Sequence, residues 1–395
     1  MNIPHTIDPN NTTIHQVRRR EKLARTVLEK IRDHNIAKPR FGPTFTVAQA
    51  AELVLRTPSA IRMAEAEGRL PEQKRNELGR RDNYTLEQLN HMRSVFGTRP
   101  WRSAEDGPVI LPVQNFKGGV GKSTLSVHLA QYLAIHGYRT LLIDADAQAS
   151  TTMMFGYIPD SDLGIHDSIY ACLMPGDENY RPLRDLIRKT HYDGLDLVPA
   201  NLHLYNAEYE IAGRLPAFGA NMLTVLRDEI ADVSDRYDVI VLDPPPALGM
   251  VSLSVLYAAN ALIIPMPPNT IDFASTTAFL SMLAQNMEQL EERGLEANYG
   301  FIQIVVSRSD ENKTAHREIV DMTNTVFGRT VMETEIKNSA EIDNCTARQQ
   351  SVYDVAVSST NHQVRRRCLL QLNSLNAEIE KHIRSQWPNT PAVER

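Results

Sequence analysis

Residues 117–124 read Lys-Gly-Gly-Val-Gly-Lys-Ser-Thr, a concentration of residue types suited to holding a polyphosphate. Gly121-Lys122-Ser123 ends the pattern G-x-x-x-x-G-K-[ST], but Phe116 stands where the pattern has its first glycine. Gly118, Gly119 and Gly121 open backbone conformations barred to other residues, so that N–H groups around Val120 can point at phosphate oxygens. Lys122 is then placed to reach the β- and γ-phosphates of ATP or ADP, and Ser123 to set its hydroxyl on Mg²⁺, with Thr124 closing the cradle. Lys117 adds a second cation. It either folds back on its own phosphates or crosses to a partner's nucleotide, neutralising transition-state charge as an arginine finger does. The sequence leaves both open.

Such a loop works only between a strand and a helix. Pro108–Val113 is an apolar run suited to a buried strand, and Ser123–His136 suits a helix whose N-terminus faces the anion. Val239–Leu242 is a second apolar run, and it delivers Asp243 at its end as a buried parallel strand would. Ile263–Pro268 and Phe301–Val306 read as further strands, the latter ending in Ser307-Arg308 near the base site by fold analogy. The expected fold is α/β with a mostly parallel sheet.

Lys117–Thr124 resembles the signature of the deviant Walker ATPases, the family of ParA partition proteins, MinD and the nitrogenase iron protein. Leu141–Gln148 resembles the second strand and switch I of the ParA branch, and Tyr237–Gly249 resembles Walker B and switch II. The resemblance implies that Asp146 positions or activates the attacking water. It implies that Asp144 supports the metal's water shell and that Asp243 lies near Mg²⁺. Pro244 departs from the Thr, Cys or Ser more usual in the family. The resemblance covers most of residues 108–360.

A chain of 395 residues predicts more than one unit. The sequence has no N-terminal signal pattern and no apolar run long enough to span a bilayer, and Cys172, Cys345 and Cys368 have no metal-ligand spacing. These features fit a reducing cytoplasm and count against an iron–sulfur reductase. Charge is unevenly spread. Residues 1–105 hold 19 Lys+Arg against 12 Asp+Glu, while the remaining residues hold 23 against 36. A basic unit joined to an acidic one suggests a nucleic-acid module on an engine.

The N-terminal 40 residues carry an amphipathic helix from Ile14 to Ile36, stopped by Pro39 and Gly42-Pro43. Its apolar stripe packs either on its own domain or on a second chain. Residues 41–106 resemble a winged helix-turn-helix of the MerR class. Thr46 caps a helix over Val47–Val54, a turn follows through Thr57, and Pro58 opens a second helix over Ser59–Glu67 that Gly68 closes. Thr57, Ser59 and Arg62 are placed to face the major groove, and Lys74, Arg75, Arg80 and Arg81 supply a wing for phosphates. Gly97–Gly107 reads as linker, and residues 107–395 form the ATPase. Near the C-terminus, Arg365–Arg367 open a helix. They suit either DNA phosphates or solvent.

Together these features resemble the large ParA/RepA type of plasmid partition ATPase. The resemblance implies an ATP-bound homodimer that binds DNA non-specifically, a ParB-type centromere-binding partner that stimulates hydrolysis, and repression of its own operon by the ADP or apo form. It implies a cytoplasmic, nucleoid-associated protein. The competing readings are a nucleotide-sensing repressor without a segregation role and a MinD-like membrane-cycling ATPase. The polar tail Trp387–Arg395 is unlike a membrane anchor.

Overall fold

The computed structural model describes residues 13–36, 40–75, 79–295, 297–355 and 360–391. They fall into two units, Met1–Arg40 and Phe41–Arg395. The first is the helix α1, Thr13–Ile36. Ile14, Val17, Leu23 and Val27 are each more than half exposed on it, so among the described residues nothing covers these four side chains. Pro39, expected to stop the helix, lies outside the described residues.

The second unit begins with β1 (Thr44–Phe45), α2 (Val47–Leu53), α3 (Pro58–Ala66), β2 (Tyr84–Thr85) and α4 (Leu86–Phe96). Thr46 caps α2 in a reciprocal box with Gln49, and Thr85 caps α4 in the same way with Gln88. Leu55 takes a left-handed φ of +56° in the short connection between α2 and α3. β1 pairs antiparallel with β2, and an isolated antiparallel bridge joins Arg75 to Arg81. Residues 76–78, part of the expected wing, lie outside the described residues.

A doubly wound α/β body follows. Its strands are β3 (Val109–Pro112), β4 (Thr140–Asp144), β5 (Arg188–Lys189), β6 (Leu195–Val198), β7 (Val239–Asp243), β8 (Ala261–Met266) and β9 (Phe301–Val306). Five pair in the order β3-β7-β4-β6-β5, with only the edge strand β5 antiparallel. β8 and β9 pair in parallel, and a bridge from Val113 to Ile263 joins them to β3. Strands buried on both faces explain why β3, β4, β7, β8 and β9 read as apolar runs rather than alternating ones.

The connecting helices are α5 (Lys122–Ile135), α6 (Ser150–Met154), α7 (Pro159–Asp162), α8 (Leu183–Leu186), α9 (Tyr205–Phe218) and α10 (Val225–Ala231), followed by α11 (Met250–Ala258), α12 (Thr270–Glu291), α13 (Thr314–Phe327), α14 (Ala340–Ala347) and α15 (His362–Arg384). α5 is buried along nearly its whole length. One apolar core runs from Ala50, Ile61 and Leu89 through Leu129 and Leu133 of α5 to Leu375 and Ile379 of α15.

The segment between α4 and β3 is held closely. The guanidinium groups of Arg99 and Arg139 each lie 4.6 Å from the Trp101 ring, which donates from Nε1 to Gly137 O at 3.1 Å. Trp387 of the C-terminal tail donates to Gly107 O at 3.0 Å, and Thr390 Oγ1 donates to Asp106 at 2.6 Å.

Candidate functional site

The glycine-rich loop connects β3 to α5. Gly119 and Gly121 adopt φ of +75° and +98°, the left-handed region where a Cβ is strained. Gly121 caps α5 without a side chain, so the first-turn N–H groups of α5 are left for a ligand. Lys122 is buried in the loop, its Nζ 3.4 Å from Lys117 O. Burial lowers its pKa, while the nearby carboxylates of Asp243 and Asp146 favour the charged form.

Phe116, the departure from the common pattern, has a packing role. Its ring meets Phe279 of α12 edge-on at 5.2 Å. That contact carries the loop toward α12, where Lys117 Nζ lies 2.7 Å from Asp272 Oδ1 in the first helical turn. The end of β9 braces the loop from the other side. Ser307 Oγ donates to Val120 O at 2.8 Å, and Arg308 Nη1 donates to Gly119 O at 2.8 Å from a strained φ of +55°.

The carboxylates come from neighbouring strands. β4 and β7 pair in register, so Asp144 stands directly beside Asp243. Thr152 donates to Asp144 Oδ2 from its backbone N–H at 2.8 Å and its hydroxyl at 2.6 Å, and Asp146 N–H reaches Oδ1 at 3.2 Å. Thr151 donates its hydroxyl to Asp243 Oδ2 at 2.7 Å. Burial and the neighbouring Asp243 charge raise the Asp144 pKa well above the usual carboxylate range. Burial pushes Asp243 up to about 6, opposed by hydrogen bonding from Ser123 and Thr151 and by Lys122.

Asp243 Oδ1 is buried and has no hydrogen bond of normal geometry. A buried carboxylate with an oxygen short of a well-formed hydrogen bond, approached by the Ser123 hydroxyl, fits Mg²⁺, which binds through one or two protein oxygens plus water and phosphate. Asp144 is already engaged through both oxygens, so it suits support of the water shell rather than direct ligation. No cluster of three His, Cys, Asp or Glu that could hold a metal occurs among the described residues. Asp146 is half-buried, with Oδ1 accepting from Gln148 N–H at 2.9 Å. It lines a cleft of about 660 Å³ whose floor is Gly118, Gly119, Gly121 and Lys122–Leu125, and whose far wall includes Lys337, Asn338 and Gln349.

The structure thus brings together Lys117–Thr124, Asp144, Asp146 and Asp243. Sequence reasoning missed Thr151, Thr152 and Asp272. The first two follow the Asp146 segment closely, but nothing local signals Asp272.

Of the other sequence-expected residues, Thr57, Ser59 and Arg62 lie at or on α3, while Lys74, Arg80 and Arg81 lie on the segment between α3 and β2. Thr57 caps α3, its Oγ1 accepting from Ala60 N–H at 3.2 Å and lying 2.9 Å from Ser59 Oγ. Arg62 is exposed on α3, and Lys74 and Arg80 are exposed beside the Arg75–Arg81 bridge. Arg81, grouped with them from sequence, turns inward: its guanidinium is paired with Glu65 of α3 and reaches Tyr84 Oη at 3.2 Å. Arg366 and Arg367 are exposed at the start of α15, whereas Arg365 bonds to Val355 O. The apolar stripe of α15 (Leu372, Leu375, Ile379, Ile383) is fully buried in the core, so it is not available to a bilayer. Among the described residues no helix is long and apolar enough to cross a membrane.

A family model described as an AAA domain matches residues 109–297. The protein SopA of Escherichia coli (strain K12) is 32% identical over 317 residues, covering 79% of this chain and 80% of SopA. The chromosome partitioning protein ParA of Myxococcus xanthus is 30% identical over 249 residues, covering 63% of this chain and 81% of that protein. Among solved structures, one described as a partition protein superposes with a TM-score of 0.69 at 21% identity, over 96% of this chain and all of that one.

Proposed function

Because this chain belongs to the ParA/SopA family of partition P-loop proteins, we propose that it is an ATPase of DNA segregation whose nucleotide state switches how it binds DNA. The observation that carries the reading is the cleft itself. Two in-register carboxylates, one with a buried oxygen short of a well-formed hydrogen bond, face a glycine loop that holds a buried lysine.

Bound ATP with Mg²⁺ supplies the scissile phosphoanhydride and most of the charge neutralisation. The chain positions it. Gly118–Gly121 would present backbone N–H groups, Lys122 would neutralise the β- and γ-phosphates, and Ser123 and Asp243 would hold the metal. Asp144 would support the metal site from behind, and Asp146 would orient the attacking water from the cleft wall. Because positioning carries the chemistry, hydrolysis is slow and suits a timer.

α2, α3 and the bridged segment after them form a winged helix-turn-helix in this reading, spanning residues 41–106, with the ATPase over 107–395. Arg62 with Thr57 and Ser59 reads the operator, while Lys74 and Arg80 hold phosphates. Arg81 supports the wing through Glu65 rather than touching DNA. The exposed stripe of α1 pairs with a second chain. The ATP-bound dimer binds DNA non-specifically and answers to a ParB-type partner, and the ADP or apo form represses the chain's own operon. The place of action is the nucleoid.

The test is DNA binding with ADP and with ATP, on the chain's own upstream region and on unrelated DNA. Specific binding favoured by ADP, with non-specific binding favoured by ATP, supports the dual role. Specific binding indifferent to nucleotide, with none to unrelated DNA, leaves a plain repressor instead.

A further inference from the structure

Arg93 is one of the largest fully buried side chains in the molecule, at 1% exposure. Such a charge is costly unless its donors are satisfied, and it has no carboxylate in direct contact among the described residues. Its donors go instead to the ends of two helices. Nη2 donates to Ile135 O, the last residue of α5, at 2.6 Å, and to Leu53 O, the last residue of α2, at 3.2 Å. Nη1 donates to Asn90 Oδ1 at 2.6 Å, and Asn90 Nδ2 passes the bond on to Asp193 at 2.7 Å.

Orphan carbonyls at helix C-termini carry partial negative charge, so a guanidinium there is favourable. Sharing one guanidinium between two such ends is a different matter, because it ties their positions together. The surroundings enforce the sharing. A Cβ at Gly137, where φ is +95°, would lie 2.7 Å from Arg93 Cδ, so only glycine leaves room for the side chain. Thr98 Oγ1 donates to Val54 O at 3.1 Å and Arg56 Nη2 to Phe96 O at 2.9 Å, which fix the end of α2 to α4.

The two helices joined this way are not arbitrary. α5 begins at Lys122, in the phosphate loop, and its 14 residues reach roughly 20 Å to Ile135. It is buried on almost every face, so a displacement at its first turn arrives at its last. α2 is the helix that precedes the exposed α3. We propose that Arg93 is the joint through which nucleotide occupancy at the start of α5 changes the setting of α2 and α3. The coupling to DNA rests on the functional reading above, but the mechanical link does not. Linkage makes it reciprocal: whatever α3 binds must alter nucleotide affinity by the same factor.

Two measurements on the full-length protein separate these layers. The first is hydrogen exchange of the α2–α3 amides with and without ADP·Mg²⁺. The second is the ratio of operator affinities with and without ADP. Arg93→Lys keeps the charge but cannot span both carbonyls while bonding Asn90. Trp101→Phe is the matched control, since it removes the bond to Gly137 O at the same end of α5, and the hydrogen-bond and ring partners described for Trp101 are Gly137, Arg99 and Arg139, none of which lies on α2 or α3. The wild type and Trp101→Phe should show ADP-dependent protection in both the loop and α2–α3. Arg93→Lys should keep the change in the loop and lose it in α2–α3. Its affinity ratio should collapse toward one, from the roughly 5- to 150-fold range of such couplings. Loop-only protection in the wild type overturns the joint, as does an Arg93→Lys protein whose α2–α3 still responds. A responding α2–α3 with no operator binding confirms the joint and removes the DNA reading instead.

Discussion

Lys117 and Asp272 form a 2.7 Å ion pair within a single chain, linking the head of the phosphate loop to the first turn of α12. Asp272 is 3% exposed and is fixed by Asn269, whose Oδ1 accepts from its N–H at 3.0 Å. The lysine that could serve a phosphate is therefore held aside until the pair opens.

Lys117 is partly exposed but Asp272 is not, so opening the pair leaves a buried carboxylate without its cation. Asp272→Asn removes that cost and should tighten binding of a non-hydrolysable ATP analogue by about tenfold or more. Fluorescence titration of the analogue checks this. Weaker binding would mean that Asp272 orients Lys117 toward the phosphates rather than holding it away.

Lys122 is buried in the cleft near the carboxylates of Asp243 and Asp146. Lys122→Gln should weaken nucleotide binding by about 2–5 kcal/mol, because it removes one partner of a buried charge pair. Turnover should fall to background. Calorimetric binding and phosphate release measure the two effects, and full retained activity would sink the site assignment.

Asp243 has a folded-state pKa of about 6, above its ordinary value of 3.8. Below 3.8 this group does not penalise the fold, and as pH rises through about 6 the folded chain must lose a proton that burial favours keeping. Ligand-free stability from this group is therefore lost on raising pH from 4 to 7. Asp243→Asn should unfold later than wild type at pH 8, by about 2–3 kcal/mol at most, and the difference should shrink toward pH 4. His128 works the other way, because burial depresses its pKa and stability falls as pH drops through its unfolded value. It is common to both proteins and drops out of their difference, which reports the coupled Asp144–Asp243 pair. Urea unfolding across pH reads it out. Mg²⁺ affinity should fall as pH drops below about 6, where Asp243 protonates.

Arg62 and Lys74 should separate base reading from phosphate holding. Arg62→Ala should cost about 1–3 kcal/mol on operator DNA and relax discrimination at one position. Lys74→Ala should weaken binding to all sequences alike and reduce the salt slope by about one. Anisotropy titrations at several salt concentrations distinguish them. Equal effects on specific and unrelated DNA from both variants would remove α3 from the major groove.

Much of this was legible from local sequence because the chemistry is local. The glycines of residues 118–121 and Lys122-Ser123 lie on one turn whose backbone they alone permit. The strands over β3, β7 and β9 are apolar runs with their ends marked by Asp243 and Ser307. Thr46 and Pro58 mark helix starts by local chemistry that acts within three residues.

The tertiary structure decided whatever depends on partners far apart in the chain. Phe116 looked like a defect in a motif until Phe279 of α12 gave it a ring to meet. Arg81 read as a phosphate contact because a charge pattern cannot reveal that Glu65 faces it. Gly97–Gly107 read as linker from its composition, yet Trp101, Arg102 and Asp106 fasten it to the α/β body. Arg93 carried no signal at all. Whether an arginine is solvated or shared between two helix ends is set by which elements pack around it, and that is a property of the folded chain alone.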